Sequence, residues 1–253
     1  MEESALYRMI FKRKSFHLFR DTGEGGITAE EIREIERTYA SLTPLCPDIK
    51  TALRVVPAEK TTCRRGQEYC ILLYSEKKDD YLQNIGYLGE QLDLYLVSKN
   101  IGTLWFGIGR PEEEKVCGLE FVIMIAIAKI GDETKFRRDM FKSRRRTAEE
   151  IWTGTRMDPM AEIVRFAPSS CNTQPWRVVC GADGLEVYRC REAGRRGIMP
   201  AGKVSFYNQI DMGIFLCFLE LCLEKNGVEY RRSLFTDDGG DVPRTLDAVY
   251  RFG

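Results

Sequence analysis

Three stretches of this 253-residue chain combine residue types that can do chemistry. Residues 167–176 read APSSCNTQPW, crowding two prolines, two serines, Cys, Asn, Thr, Gln and Trp into ten positions. The prolines remove backbone donors and Ser and Asn compete for the others, so the stretch is a poor helix and a poor central strand. Yet apolar helical spacing leads in through PMAEIVRFA, and a strand-like run, WRVVCG, leads out. The other two stretches are basic: FKRKS at 11–15 and KFRRDMFKSRRR at 135–146. A charge run is most often a solvated face. A single phosphate, however, needs only two or three Arg or Lys donors, and Arg offers a bidentate fork. Two basic clusters, the Ser15 hydroxyl and a polar loop together suit a phosphorylated cofactor.

Several other chemistries find no support. There is no Ser-His-Asp set, no Cys-His pair and no HxxH or clustered-Cys metal site. The glycines of GIGRP are too few for a dinucleotide fingerprint. His17 is the single histidine, and a lone His is more often a satisfied surface or core residue, so it receives no catalytic role. Lys plus Arg and Asp plus Glu number 38 each, and acidic segments flank the basic run, which argues against nucleic acid. Nine cysteines without a CxxC pair read as reduced thiols, with Cys217 and Cys222 filling core. MEESALYRMI lacks a signal-peptide pattern and no apolar run approaches transmembrane length. The expectation is a soluble, cytoplasmic protein with no membrane partner.

The elements that must position these residues are mixed α and β. Residues 4–14 read as a short helix running into FKRKS. Thr28 and Glu31 form a capping box at the head of an amphipathic helix, and Thr147 and Glu150 repeat it. YCILLYSE and EFVIMIAIAKIG are buried strands, and YLQNIGYLGEQLDLYLVSKNIG is a long apolar helix that Gly102 is expected to close. TLWFGIG follows at once. WRVVCGADGLEVYRC is a hairpin turning at Asp183-Gly184, and YNQIDMGIFLCFLELCLEKNG is a second long apolar helix. The two long helices open alike (NIGYLG, NQIDMG) and close alike (SKNIG, EKNG), which suggests an internal duplication. No Pro-, Gly- or Ser-rich linker separates the halves, so residues 1–253 read as one domain with lobes of about 1–150 and 151–253.

RKS followed by Phe16, the APSSCNTQPW loop and NIGTLWFG after a long helix together resemble the FMN-dependent nitroreductase family, and the late position of the loop is similar to its tandem-repeat TM nitroreductase branch. The resemblance spans nearly the whole chain. It implies an α+β nitroreductase-like fold in which two similar lobes form a fused pseudo-dimer. It implies that Arg13, Lys14 and Ser15 contact the FMN phosphate and ribityl chain, with Lys142 and Arg144 completing the phosphate clamp. Pro168, Ser169, Ser170 and Asn172 match the loop that lies on the flavin, and Gln174 and Trp176 belong to the same motif as residues that fix it. Trp105, Phe106 and Gly107 align with the segment beside the ring. Lys14 replaces a family Arg, and His17 stands where another Arg is common. ASLTPLCPDI occupies the place of a duplicated Ser-Ser-Asn loop without its polar signature, and the second half lacks the basic triplet.

The flavin then carries the chemistry and no catalytic side chain is assigned. The activity implied is NADH- or NADPH-dependent reduction of a nitroaromatic or quinone-like acceptor in two half-reactions, by a monomer with one site. The alternatives are an FMN enzyme of another type, dehalogenating or flavin-cleaving, or a non-catalytic flavin- or nucleic-acid-binding protein.

Overall fold

The computed structural model describes residues 3–253 except 21, 24, 156, 192–195 and 241. The first half contributes α1 (Glu3–Lys12), α2 (Ala29–Ser41), β1 (Thr51–Pro57), β2 (Tyr69–Ser75), α3 (Tyr81–Ser98), β3 (Ile101–Phe106), β4 (Lys115–Val116) and β5 (Leu119–Lys129). The second half contributes α4 (Ala148–Ile151), β6 (Trp152–Gly154), α5 (Met160–Val164), β7 (Trp176–Cys180), β8 (Gly184–Cys190), α6 (Val204–Lys225), β9 (Tyr230–Leu234) and β10 (Arg244–Phe252). Each half builds its own sheet. The first runs β1-β2-β5-β3 with β4 on β5, all antiparallel. The second runs β6-β7-β8-β10-β9, with only the β6–β7 pair parallel. The fold is α+β.

Local chemistry explains most boundaries. Both capping boxes form: the side chains of Thr28 and Thr147 accept from the amides of Glu31 and Glu150, and each Glu reaches back to its cap amide. The second box opens only one helical turn. The expected closure of α3 by Gly102 is corrected. Asn100, at φ 57°, takes the left-handed position after the Lys99 cap, and Gly102 already lies in β3 opposite Ala128. Gly227, at φ 66°, does the same job after α6. The expectation that no apolar run reaches membrane-spanning length is also corrected. Ala201–Lys225 is long and apolar enough, but 94% of its apolar window is buried inside the protein, where it is the core helix.

That core is the pairing of α3 with α6. Both are apolar all round because each is covered by the other helix and by its own half's sheet. The crossing is reciprocal. A Cβ at Gly86 would stand 2.0 Å from the Ile210 carbonyl oxygen, and one at Gly213 would stand 1.9 Å from the Gln83 oxygen. Each helix thus uses a glycine to receive the backbone of the other, three residues upstream of the partner glycine. Asn84 and Asp211 follow the same relation. Asn84 Oδ1 accepts the Cys46 amide at 3.0 Å, and Asp211 Oδ1 accepts the Ser170 amide at 2.9 Å. The plain loop around Pro44 and the Ser-Ser loop after Pro168 therefore hang from equivalent points on the two helices. Further along, Asp93 accepts from Trp105 in β3 and Glu220 accepts from Arg232 in β9.

Candidate functional site

After α1 the chain runs beside β3, with Ser15 bridged to Thr103 and the Phe16 amide bonded to the Thr103 carbonyl at 2.9 Å. This delivers Arg13 and Ser15 to Trp105. From the other half, α5 ends, and the Ser-Ser loop turns over α6 before β7 begins. Between them lies a cavity of about 130 Å³ lined by Arg13, Ser15, His17, Trp105 and Gly107 on one side. Pro168, Ser169, Ser170, Cys171 and Asp211 line the other, and Leu104, Ile123, Ile210 and Ile214 close the apolar floor. Tyr207 on α6 links the two sides by donating its hydroxyl to the Gly107 carbonyl at 2.7 Å. A Cβ on Gly107 would meet that ring at 2.5 Å, so only glycine admits it.

Arg13 is 3% exposed and held from behind. Its Nε and Nη2 donate to Asp93 Oδ2 at 3.0 and 2.8 Å, and its Nη1 donates to Ser15 Oγ at 3.3 Å. Asp93 also accepts from Thr103 Oγ1 and Trp105 Nε1, so one carboxylate orients three residues around the cavity. Glu90, 3.5 Å from Arg13, is fully buried, and burial followed by repulsion from Asp93 pushes its carboxyl well above the usual range. Arg13 is thus matched by one carboxylate. Among the described residues no carboxylate pairs with Arg137 or Arg145. Burial pushes each guanidinium down to about 10, and repulsion adds to it: from Arg13 for Arg137, and from Arg137, Arg13 and Arg165 for Arg145. Arg145 Nε is buried with no partner. Such an arrangement is costly unless an anion arrives.

The loop is strained in a way that only its surroundings sustain. Cys171, Asn172 and Gln174 all have positive φ (49°, 57° and 50°). Conformations of this kind cost on the order of 1–3 kcal/mol each and persist where contacts over-determine them. Here Asp211 Oδ1 takes the Ser170 amide and hydroxyl (2.9 and 3.1 Å), and Ser169 Oγ takes the Gln174 amide at 3.0 Å. Gln174 Oε1 takes the Arg146 amide at 2.7 Å, and Arg145 Nη1 donates to Asn172 Oδ1 at 2.8 Å.

Of the residues expected at the site, the structure therefore brings together Arg13, Ser15, Trp105, Gly107, Pro168, Ser169 and Ser170. It places the others elsewhere. Lys14 donates to the Lys135 carbonyl and lies 5.2 Å over the Phe16 ring. Phe106 packs under Arg65. Lys142 is 84% exposed, and Arg144 is exposed with its carbonyl engaged by Asn172 and Arg145, so neither lines the cavity. Arg137 and Arg145 of the same run do not line it either, but they are half-buried and electrostatically coupled to Arg13. Asn172 and Gln174 brace the loop, and Trp176 is buried, stacked 4.9 Å from Phe215. Sequence reasoning missed Asp93 and Asp211, each one of several polar residues within a long apolar helix; a carboxylate inside such a helix was the available signal.

A larger cavity, about 330 Å³, occupies the equivalent place on the other side of the helix pair. It is lined by Thr43, Tyr87, Gln91, Glu220, Tyr230 and Arg232, among others. Glu220 accepts from Arg232, Tyr250 and Tyr87, each at 2.6 Å, so its one arginine is neutralised internally. Size favours this cavity; unspent positive charge favours the smaller one.

Residues 5–223 match the family described as "Putative TM nitroreductase", and the chain belongs to that family. A "putative nitroreductase" of Thermotoga maritima shares the fold at a TM-score of 0.63 and 16% identity, over 99% of this chain and 94% of that one. A "putative nitroreductase" of Desulfovibrio desulfuricans, solved in complex with FMN, aligns at 0.43 and 16% identity over 60% of this chain and 98% of its own. A nitroreductase family protein of Clostridium novyi aligns at 0.37 and 16% over 51% and 87%. No sequence among the curated proteins is significantly similar.

Proposed function

We propose that this protein is an FMN-dependent oxidoreductase that uses NADH or NADPH to reduce a small nitroaromatic or quinone-like acceptor. The observation that carries the reading is the charge surplus beside the cavity: Arg13 lines it, and Arg137 and Arg145 stand behind its lining, near enough to Arg13 to repel it. Among the described residues Asp93 is the one carboxylate hydrogen-bonded to this group. Two unspent positive charges suit a phosphate monoester dianion, and Arg145 Nε is a donor still to be satisfied. Arg13, Arg137 and Arg145 would hold the phosphate, and Ser15, Ser169 and Ser170 would meet the polar edge of the cofactor. Leu104, Ile123, Ile210 and Ile214 keep water from the floor. FMN supplies the redox chemistry when bound, taking two electrons from the nicotinamide and passing them on.

The fused pseudo-dimer belongs to the same proposal. The reciprocal glycines, the equivalent loop anchors on Asn84 and Asp211, and one sheet per half are what a homodimer joined into one chain would leave. Only one of the two equivalent cavities keeps the cationic set, so a monomer carries a single FMN. Anaerobic mixing of FMN-loaded protein with NADH or NADPH tests the activity. Bleaching of the flavin, followed by recovery on adding menadione or a nitroaromatic, is expected. Flavin that stays oxidised with both nucleotides, or protein that retains no FMN, refutes it.

A further inference from the structure

Asp211 does more than its counterpart needs to. At the equivalent point of α3, Asn84 holds its loop through an amide oxygen, so anchoring a loop amide does not require a carboxyl. Asp211 is 1% exposed, lines the cavity wall, and has only neutral partners: the Ser170 amide, the Ser170 hydroxyl and Thr173 Oγ1 at 3.3 Å. No cation among the described residues pairs with it; Arg13, which lines the opposite wall, is spent on Asp93, and His17 is exposed. A buried carboxyl without a counter-ion keeps its proton. Desolvation accordingly pushes it up to about 7. The Ser170 hydroxyl, 3.1 Å from Oδ1, is itself a lining group, so one hydroxyl connects a stored proton to whatever occupies the cavity.

We infer that Asp211 is the proton donor of the oxidative half-reaction, delivering its proton to the bound acceptor through Ser170. This rests on the proposed flavin reductase reading. A quinone takes up two protons with two electrons. The cofactor supplies both electrons and one proton, and the protein supplies the other. For the transfer the Ser170 hydroxyl rotates its hydrogen from Oδ1, where it points in the resting structure, to the quinone oxygen, so that Ser170 Oγ accepts from the protonated Asp211 carboxyl. The Asp211 O–H bond then breaks as Ser170 Oγ takes the proton, while the Ser170 O–H bond breaks as the quinone oxygen takes its own. Hydroquinone leaves, and the Asp211 carboxylate is reprotonated from water when the cavity opens.

The test uses Asp211→Asn, which keeps an acceptor for the Ser170 amide, and Ser170→Ala. In the flavin-free protein below pH 7, wild type shows the infrared carbonyl band of a protonated carboxylic acid that Asp211→Asn lacks. The FMN-loaded proteins are then reduced with dithionite, which bypasses NAD(P)H, and reoxidised anaerobically by menadione or by ferricyanide, an acceptor that takes no proton. The ratio of the menadione rate to the ferricyanide rate falls at least tenfold in both variants. An absent band, or a ratio that stays within twofold of wild type, overturns the inference. Failure of NAD(P)H to bleach the flavin would instead strike the donor assignment and leave this result standing.

Discussion

Replacing Gly213 by alanine tests the helix crossing on which both cavities depend. On an exposed helix the change is favourable by about 1 kcal/mol, because alanine has the higher helix propensity. Here the new methyl would lie 1.9 Å from the Gln83 oxygen, 2.7 Å from its carbonyl carbon and 2.8 Å from the Tyr87 nitrogen, all backbone atoms that cannot rotate aside. Ordinary contact begins near 3.4 Å, so α3 and α6 must part by about 1.5 Å at the crossing. Overpacking of a tight core typically costs about 1–3 kcal/mol, more where only backbone can yield. We expect Gly213→Ala to lose about 3 kcal/mol in urea unfolding and to lower Tm by roughly 6–12 °C for a chain of this size. Gly86→Ala meets the mirror-image clash and should cost a similar amount. The double variant should cost less than the sum, since helices already parted by one methyl accommodate the second. A Gly213→Ala protein as stable as wild type would refute the packing argument.

Three further outcomes are expected. Arg145→Ala and Arg137→Ala should each weaken FMN binding by about 1.5–3 kcal/mol in a fluorescence titration. Lys142→Ala and Arg144→Ala should change it less than twofold, and the reverse ranking would move the phosphate site. Flavin titration with light scattering should give one FMN per monomeric chain; two per chain, or binding confined to a dimer, would remove the one-cavity reading. Because the carboxyl of Asp211 is raised to about 7 by burial, its contribution to stability is full below about pH 4 and is lost as pH rises through 7. Across that window the stability of wild type relative to Asp211→Asn should fall, on the order of 4 kcal/mol by linkage; a pH-independent difference contradicts the buried-acid assignment.

The sequence was most legible where a local rule acts alone. The Thr28 and Thr147 boxes, the apolar strands β2 and β5 and the two long helices follow from capping geometry and periodicity. The strands β1, β4, β6, β9 and β10 escaped, whatever their length, because pairing and packing rather than a local pattern decide them. Gly102 misled because asparagine also tolerates the left-handed region, and Asn100 sits where the chain must turn. Within KFRRDMFKSRRR nothing in the spacing says which guanidinium points inward. Arg137 and Arg145 are half-buried, Arg146 is buried and Arg138 and Arg144 are exposed, a distribution set by how the turn carrying the buried Phe136 and Met140 packs. The loop motif and the basic triplet located the site. The carboxylates that hold both of them lie in the long helices, where only the fold brings them near.

In an assembly of two identical chains, every mutation is written twice, and a change that benefits one cavity is imposed on the other. Here positions 84 and 211 are an amide and an acid, and Trp105 and Arg232 reach carboxylates from comparable strands, so each side carries its own residue. Glu220 pairs with Arg232 on one side and Asp93 with Arg13 on the other, as separate ion pairs. The two faces can therefore drift as independent loci, tied only where Gly86 and Gly213 force both helices to change in step. Substitutions on one side can thus abolish its cavity or remake it for a different ligand without altering a residue of the other.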